Sequence, residues 1–201
     1  SASLVGSEMC IRDRKLRIAD VYENLKKTAN GEIVSDNSKI TFERYIMGSY
    51  FEQVLYYANL RFSKMTGGRY EIVRGESRDK RISAGLEISV RDNFNNKERD
   101  ISSLSGGESF QASLALALGL SDIIQQRNGG IRLDSIFIDE GFGSLDNDSL
   151  ASAIETLNDL TGNGNRLVGI ISHISELKNS IGNKIEVVGT KSGSSIKIIT
   201  D

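Results

Sequence analysis

The sequence has no proline and no tryptophan, and only one cysteine and one histidine. Without proline there are no rigid polyproline linkers and no Pro-rich ligand motifs. A single cysteine, Cys10, excludes an intrachain disulfide and fits a reducing, cytoplasmic setting. A single histidine, His173, leaves no histidine-rich cluster of the sort a metal-dependent nuclease needs. Charge of one sign is also missing. The formal net charge is -2, so no global basic field draws in nucleic acid, and any DNA contact must be local or supplied by a partner. The longest apolar runs, such as 114–120, are too short to span a bilayer, and no membrane association is expected. No secretory signal is expected either, because the N-terminus lacks a continuous apolar stretch. At 201 residues and 38% hydrophobic content, the chain can build one sizeable core. No internal repeat is visible.

What is present concentrates in 104–146. Leu104-Ser105-Gly106-Gly107-Glu108 leads into a Leu- and Ala-rich segment, 109–126, with the composition of a helix and apolar residues on nearly every face. Two glycines at its start leave backbone amides uncovered beside a Ser hydroxyl, an arrangement suited to phosphate. A bare Gly-Gly pair would more simply be a flexible helix start. The whole pentapeptide, however, arises by chance on the order of once per million positions at ordinary residue usage. Further on, 135–138 is a short β-branched and aromatic run that reads as a fully buried parallel strand. Asp139 and Glu140 follow where that strand ends, which is where open α/β sheets bind ligands. One carboxylate there suits Mg²⁺ and the next suits an attacking water. Ser144-Leu145-Asp146 lies just beyond, and His173 ends a second apolar strand, 167–171.

In this order, Leu-Ser-Gly-Gly-Glu, a strand ending in Asp-Glu, then Ser-Leu-Asp and a lone histidine, the chain resembles the second half of an ABC-type ATPase head. The wording "LSGGESFQASLALALGLSD" and "LDSIFIDEGFGSLD", with "FERYIMGSYFEQVLYYANLRFSKMTGGRY" upstream, is similar to the SbcC family of SMC-related DNA-repair ATPases, over roughly residues 16 to 201. The resemblance implies an α/β fold. It would be the C-terminal lobe of a P-loop ATPase head, with buried, largely parallel strands flanked by helices and preceded by the end of a coiled-coil helix. It implies ATP and Mg²⁺ as cofactors. Asp139 would stabilise the metal, Glu140 would polarise water, and His173 would contact the γ-phosphate. Ser105, Gly106, Gly107 and Glu108 would meet the nucleotide of an opposing head, and Asp146 would couple two sites across a dimer interface. The partners implied are the chain's own N-terminal lobe, a second copy of the head, an SbcD-like nuclease and DNA.

The remaining segments read more plainly. Residues 1–14, "SASLVGSEMCIRDR", do not carry the resemblance; they read as translated adapter sequence, so a non-native tail is expected and Cys10 is given no function. Ile18, Val21, Tyr22 and Leu25 form one helical stripe closed by Asn30-Gly31; with the polar 35–39, they make 15–40 the expected coiled-coil end and linker. The lobe is then expected over 41–201. Thr41 is a candidate N-cap for a long helix with Phe42, Tyr45, Ile46, Tyr50, Val54, Leu55, Ala58, Phe62 and Met65 at core spacing up to Gly67-Gly68. Arg61, Lys64 and Arg69 near its end could touch a phosphate backbone, though a solvated helix end explains them more simply. Strands are expected at 70–74 and along Ala84, Leu86, Ile88 and Val90, with the charged 76–81 between them and a turn at 92–96. Leu150, Ala153, Ile154, Leu157 and Leu160 mark an amphipathic helix closed by Thr161-Gly162, and 184–188 and 196–200 a hairpin.

One motif is missing. A phosphate-binding loop requires Gly-Lys, and that dipeptide occurs nowhere; Gly189-Thr190-Lys191-Ser192 has an extra residue before its lysine. The expectation is therefore half of an ATPase head, a piece of a larger protein, inactive until joined to its N-terminal lobe and dimerised. A transporter ATP-binding subunit would carry the loop in the same domain and a shorter interval between signature and acid pair. Another SMC-like ATPase of chromosome organisation or recombination shares most of these motifs and stays open. An inert binding module is opposed by intact Glu140 and His173.

Overall fold

A computed structural model describes residues 2–32, 41–75, 86–127, 133–164, 166–190 and 193–200. Helix α1, Ala2–Ala29, runs without interruption past residue 14 and stops where Gly31 takes a φ of 71°. Helix α2, Phe42–Met65, is capped by Thr41, whose hydroxyl accepts from the Arg44 amide at 3.3 Å. Gly67 and Gly68, at φ 58° and 78°, turn the chain back into strand β1, Tyr70–Arg74, as expected. The linker 35–39, the charged 76–81 and Ala84 lie outside the described residues.

β1 pairs antiparallel with β2, Ile88–Asp92, which pairs with β3, Lys97–Asp100. β3 was not expected: Lys-Glu-Arg-Asp has no apolar alternation, and the Asn-rich turn ending at Asn96 (φ 52°) creates it by pairing. A 3-10 turn, Ile101–Ser103, then feeds helix α3, Gly106–Arg127. α3 lies along α2 closely enough that a Cβ on Gly119 would stand 2.7 Å from the Val54 carbonyl and 2.8 Å from the Ala58 amide. Small residues at this crossing allow the contact. Phe62, Ala58, Ile72, Val90, Ala115 and Leu118 fill the core around it. α3 is largely buried, as its composition implies, except for an exposed stripe at Ser113, Ala117 and Leu120.

Strand β4, Ser135–Asp139, crosses through helix α4, Asn147–Gly164, to a parallel neighbour, β5, Leu167–Ile171. A short helix α5, Ser175–Ser180, leads to the antiparallel hairpin β6, Lys184–Thr190, and β7, Gly193–Ile199. The α/β lobe is as expected, but among the described residues only β4 and β5 run parallel. β1–β2–β3 and β6–β7 pair antiparallel, whereas the passage through α4 returns the chain so that β5 runs in the same direction as β4.

The expected full burial of β4 and β5 also fails on one face. Ile136, Ile138, Val168 and Ile170 pack on the core, while Phe137 is 72% exposed and Leu167 and Ile171 lie open beside it. The Phe137 ring covers its register partner Gly169, where a Cβ would approach it to 2.6 Å. In β6–β7, Ile185, Val187, Ile196 and Ile198 are exposed as well. Among the described residues, no helix is long and apolar enough to cross a membrane.

Candidate functional site

The residues singled out in the sequence gather in two places. The first is the start of α3. Ser105 and Glu108 cap each other: the Ser105 amide donates to the Glu108 carboxylate at 2.8 Å and the Glu108 amide donates to the Ser105 hydroxyl at 3.3 Å. This Ser-x-x-Glu box is legible in the sequence by spacing. Beneath it, Tyr70 of β1 is almost fully buried and hydrogen-bonds Glu108, while Arg99 of β3 donates to the Tyr70 hydroxyl at 3.2 Å. Arg99 also donates to the Ser103 carbonyl at 3.1 Å, so the antiparallel sheet grips both sides of the turn into α3.

Burial alone would raise the Glu108 carboxyl, but bonds from the Ser105 amide, Tyr70 and the Ser105 hydroxyl, with Arg69 nearby, hold it below its ordinary value of 4.5. Burial pushes the Tyr70 phenol up, and its bond to Glu108 adds to this. Glu108 is thus engaged in holding Ser105. The amides of Gly106 and Gly107 have no partner among the described residues, as the first turn of a helix leaves them.

Asp146 faces this point. It caps α4, accepting from the Ser149 amide at 2.8 Å, and that bond, reinforced by the Ser149 hydroxyl, lowers its carboxyl. Together with Ser105, Gly107, Arg69, Ser144 and Ser149 it lines a cleft of about 320 Å³. Gly107 is packed so closely here that a Cβ would stand 2.9 Å from the Ser144 carbonyl.

The second place is the carboxyl end of the parallel pair. Asp139 ends β4 in register with Ile171, on the same open face as Phe137. Glu140 follows with a φ of 56°, a left-handed conformation that a non-glycine residue holds only when its surroundings enforce it. Its amide donates to the Ile171 carbonyl at 2.9 Å. Its carboxylate lies 3.5 Å from His173 Nδ1, with both side chains well exposed. Two strands distant in sequence, β4 and β5, with the loop after each, thus bring Asp139, Glu140 and His173 to one edge.

The donor set fits a magnesium ion of the kind bound with a nucleotide. Mg²⁺ characteristically takes one or two carboxylates and completes its shell with phosphate oxygens and water, and Asp139 offers such a carboxylate. No cluster of three or more His, Cys, Asp or Glu that could hold a metal unaided occurs among the described residues. The basic group near the end of α2 is already paired: Arg61 with Asp122 at 2.7 Å, Lys64 with Glu155 and Asp159, Arg69 with Asp92. The plainer reading, a solvated helix end, fits the half-exposed Lys64 and Arg69, whereas Arg61 is largely buried against Asp122. Tyr70, Arg99 and Phe110 were not anticipated as parts of the site; only their tertiary neighbours distinguish them from ordinary strand and helix residues.

Comparison with known proteins identifies the family and the fold. Residues 76–159 match the family described as SbcC/RAD50-like, Walker B motif. The chain is 48% identical over 181 residues to the SbcC component of the SbcCD nuclease of Vibrio cholerae, covering 90% of this chain and 18% of that protein. It is 55% identical over 153 residues to the same component from Staphylococcus epidermidis, covering 76% and 15%. It thus spans less than a fifth of the length of these relatives. In fold it is similar to an SMC ATPase solved in work on ATP-driven dimerization and DNA-stimulated activation, with a TM-score of 0.61 at 15% identity over 78% of this chain and 89% of that one. An Smc head domain with an extended coiled coil from Pyrococcus furiosus, bound to the C-terminal domain of ScpA, matches with a TM-score of 0.58 at 17% identity over 96% and 46%. The chain belongs to the SbcC/RAD50-like family, with the fold of an SMC-type ATPase head.

Proposed function

We infer that this chain is the C-terminal lobe of an SbcC-type ATPase head. Completed by a lobe that carries the phosphate loop, it hydrolyses ATP with Mg²⁺ in the cytoplasm and, through ATP-driven pairing of two heads, controls a partner nuclease of the SbcD type on DNA ends and hairpins. The observation that carries this is the joint placement of Asp139, Glu140 and His173 at the edge of a sheet whose adjoining apolar face is open. A lobe seated on Phe137, Leu167 and Ile171 would bury that face and bring its phosphate loop beside Asp139.

In that assembly Asp139 holds the metal, which supplies Lewis-acid stabilisation of the phosphate charge. Glu140 accepts a hydrogen bond from the attacking water, and His173, 3.5 Å away, shares the orientation of its carboxylate and faces the γ-phosphate. Ser105 and the free amides of Gly106 and Gly107 meet the nucleotide of the opposing head, with Glu108 holding the loop and Asp146 lining the same cleft. The sequence has no Gly-Lys phosphate loop, so the 201-residue chain alone is inactive. Residues 1–14 are a non-native tail and 15–40 the coiled-coil end and linker.

The test is ATP hydrolysis by this chain with and without a separately expressed N-terminal lobe from the same locus, comparing Glu140 with Glu140→Gln. Activity that requires the added lobe and vanishes in the variant supports the reading. Hydrolysis by the chain alone overturns it.

A further inference from the structure

The turn that carries Glu140 is held from two sides. On one, the Glu140 amide donates to the Ile171 carbonyl of β5 at 2.9 Å. On the other stands Phe110, in the first turns of α3. Its ring lies directly against Gly141, where a Cβ would meet ring carbons at 2.3 and 2.5 Å, and it packs on Phe142 with ring centroids 4.7 Å apart. Phe142 is almost fully buried, so this aromatic pair anchors the turn to the core. One helical turn earlier on α3, Gly107 abuts the Ser144 carbonyl, and the Ser144 hydroxyl donates to the Gly141 carbonyl at 3.1 Å. Glu140 and Gly141 are consecutive residues in the left-handed region, at φ 56° and 93°. Glycine adopts this region freely, but Glu140 relaxes out of it unless packing enforces it.

We propose that Phe110 is a positioning residue for Glu140. Its ring, filling the space that a side chain at 141 would take, holds residues 140–141 in the left-handed conformation that sets the Glu140 carboxylate toward His173. The first turn of the signature helix and the hydrolytic acid are thereby one mechanical unit within a single lobe. Displacement of Ser105–Gly107 by a ligand is transmitted to Glu140 through Phe110 and Ser144, without passage through the dimer. The consequence for hydrolysis rests on the function proposed above; the placement of Glu140 does not.

Because His173 is the single histidine of the sequence, its labelled imidazole gives one unambiguous set of resonances in the 201-residue chain. These are compared, at one fixed pH, in the native chain, Glu140→Gln, Phe110→Ala and Phe110→Leu. Leucine keeps most of the apolar volume but withdraws the ring edge from Gly141, so it decides the matter if the alanine variant fails to fold. The expected result is displacement of the imidazole resonances by both Phe110 variants in the direction produced by Glu140→Gln, with helical circular dichroism retained. Resonances that move in Glu140→Gln but stay at their native positions in Phe110→Leu would overturn the proposal, as would resonances indifferent to Glu140→Gln. In the assembled head, Phe110→Leu is then expected to lower kcat several-fold with KM unchanged, since Phe110 is outside the nucleotide cleft. An assembled native head without hydrolysis would sink the activity reading and leave the imidazole result to stand by itself.

Discussion

The start of α3 and the carboxyl edge of β4–β5 are built on opposite plans. At the first, the polar side chains around Ser105 are answered within the chain: by the reciprocal Ser105–Glu108 cap, by Tyr70 and Arg99 beneath it, and by the Asp146 cap of the facing helix. At the second, Asp139, Glu140 and His173 stand on an exposed edge beside an apolar face, with the Glu140 carboxylate 3.5 Å from His173 Nδ1. The first is preorganised by the chain's own hydrogen bonds. The second has its backbone fixed but its side chains open, and on the function proposed above it becomes a site when another surface covers it. Local capping can complete a helix start, but one layer of sheet cannot by itself enclose a reacting phosphate.

The largest effect that sharpens this contrast is at the open edge. Glu140→Gln in the assembled head is expected to lower hydrolysis by about 100-fold or more while sparing nucleotide binding, because it removes an acid–base group and keeps its shape. Phosphate release and fluorescent-nucleotide titration check the two halves of that statement. At the closed end, Tyr70→Phe removes the hydroxyl between Arg99 and Glu108 and is expected to cost about 1 kcal/mol of stability. Chemical denaturation measures it.

Acid acts on the closed end in the same sense. The Glu108 carboxyl is lower in the folded chain than its ordinary 4.5, so its contribution to stability is present above that value and is lost as pH falls through the lower folded one. Thermal melts of native and Glu108→Gln chains across pH 7 to 3 should therefore converge toward the acid limit. A gap that persists there would mean that the bonds to Ser105 do not depend on charge. The smallest effect is expected for His173→Ala. Its side chain is 79% exposed, so stability should change by no more than about 0.5 kcal/mol while hydrolysis in the assembled head falls. A large destabilisation would place His173 in the framework of the lobe.

Much of this was legible in the residues alone. Thr41, Asn30-Gly31 and Gly67-Gly68 marked helix ends because capping and left-handed glycine are local properties of a few neighbouring residues. The alternation of 70–74 and the apolar stripe of α4 marked a strand and a helix because their periods are set by backbone geometry. The order of Ser-Gly-Gly-Glu, Asp-Glu and a lone histidine pointed to both ends of the site.

Other features depended on contacts that no local pattern encodes. β3 is a strand only because a turn folds it against β2, and its polar residues carry no trace of that. An apolar run such as 135–138 looks the same whether one face or both are covered, so the open side of β4–β5 emerged only in the folded lobe. Likewise, the sequence by itself determined that Glu140 and His173 would sit at strand ends, because hydrophobic runs end where polar residues begin. Only the tertiary structure decided that Glu140 would turn left-handed, with Phe110 against its neighbour and His173 within reach. That conformation is unfavourable for an isolated residue, and it persists through packing between segments about thirty residues apart.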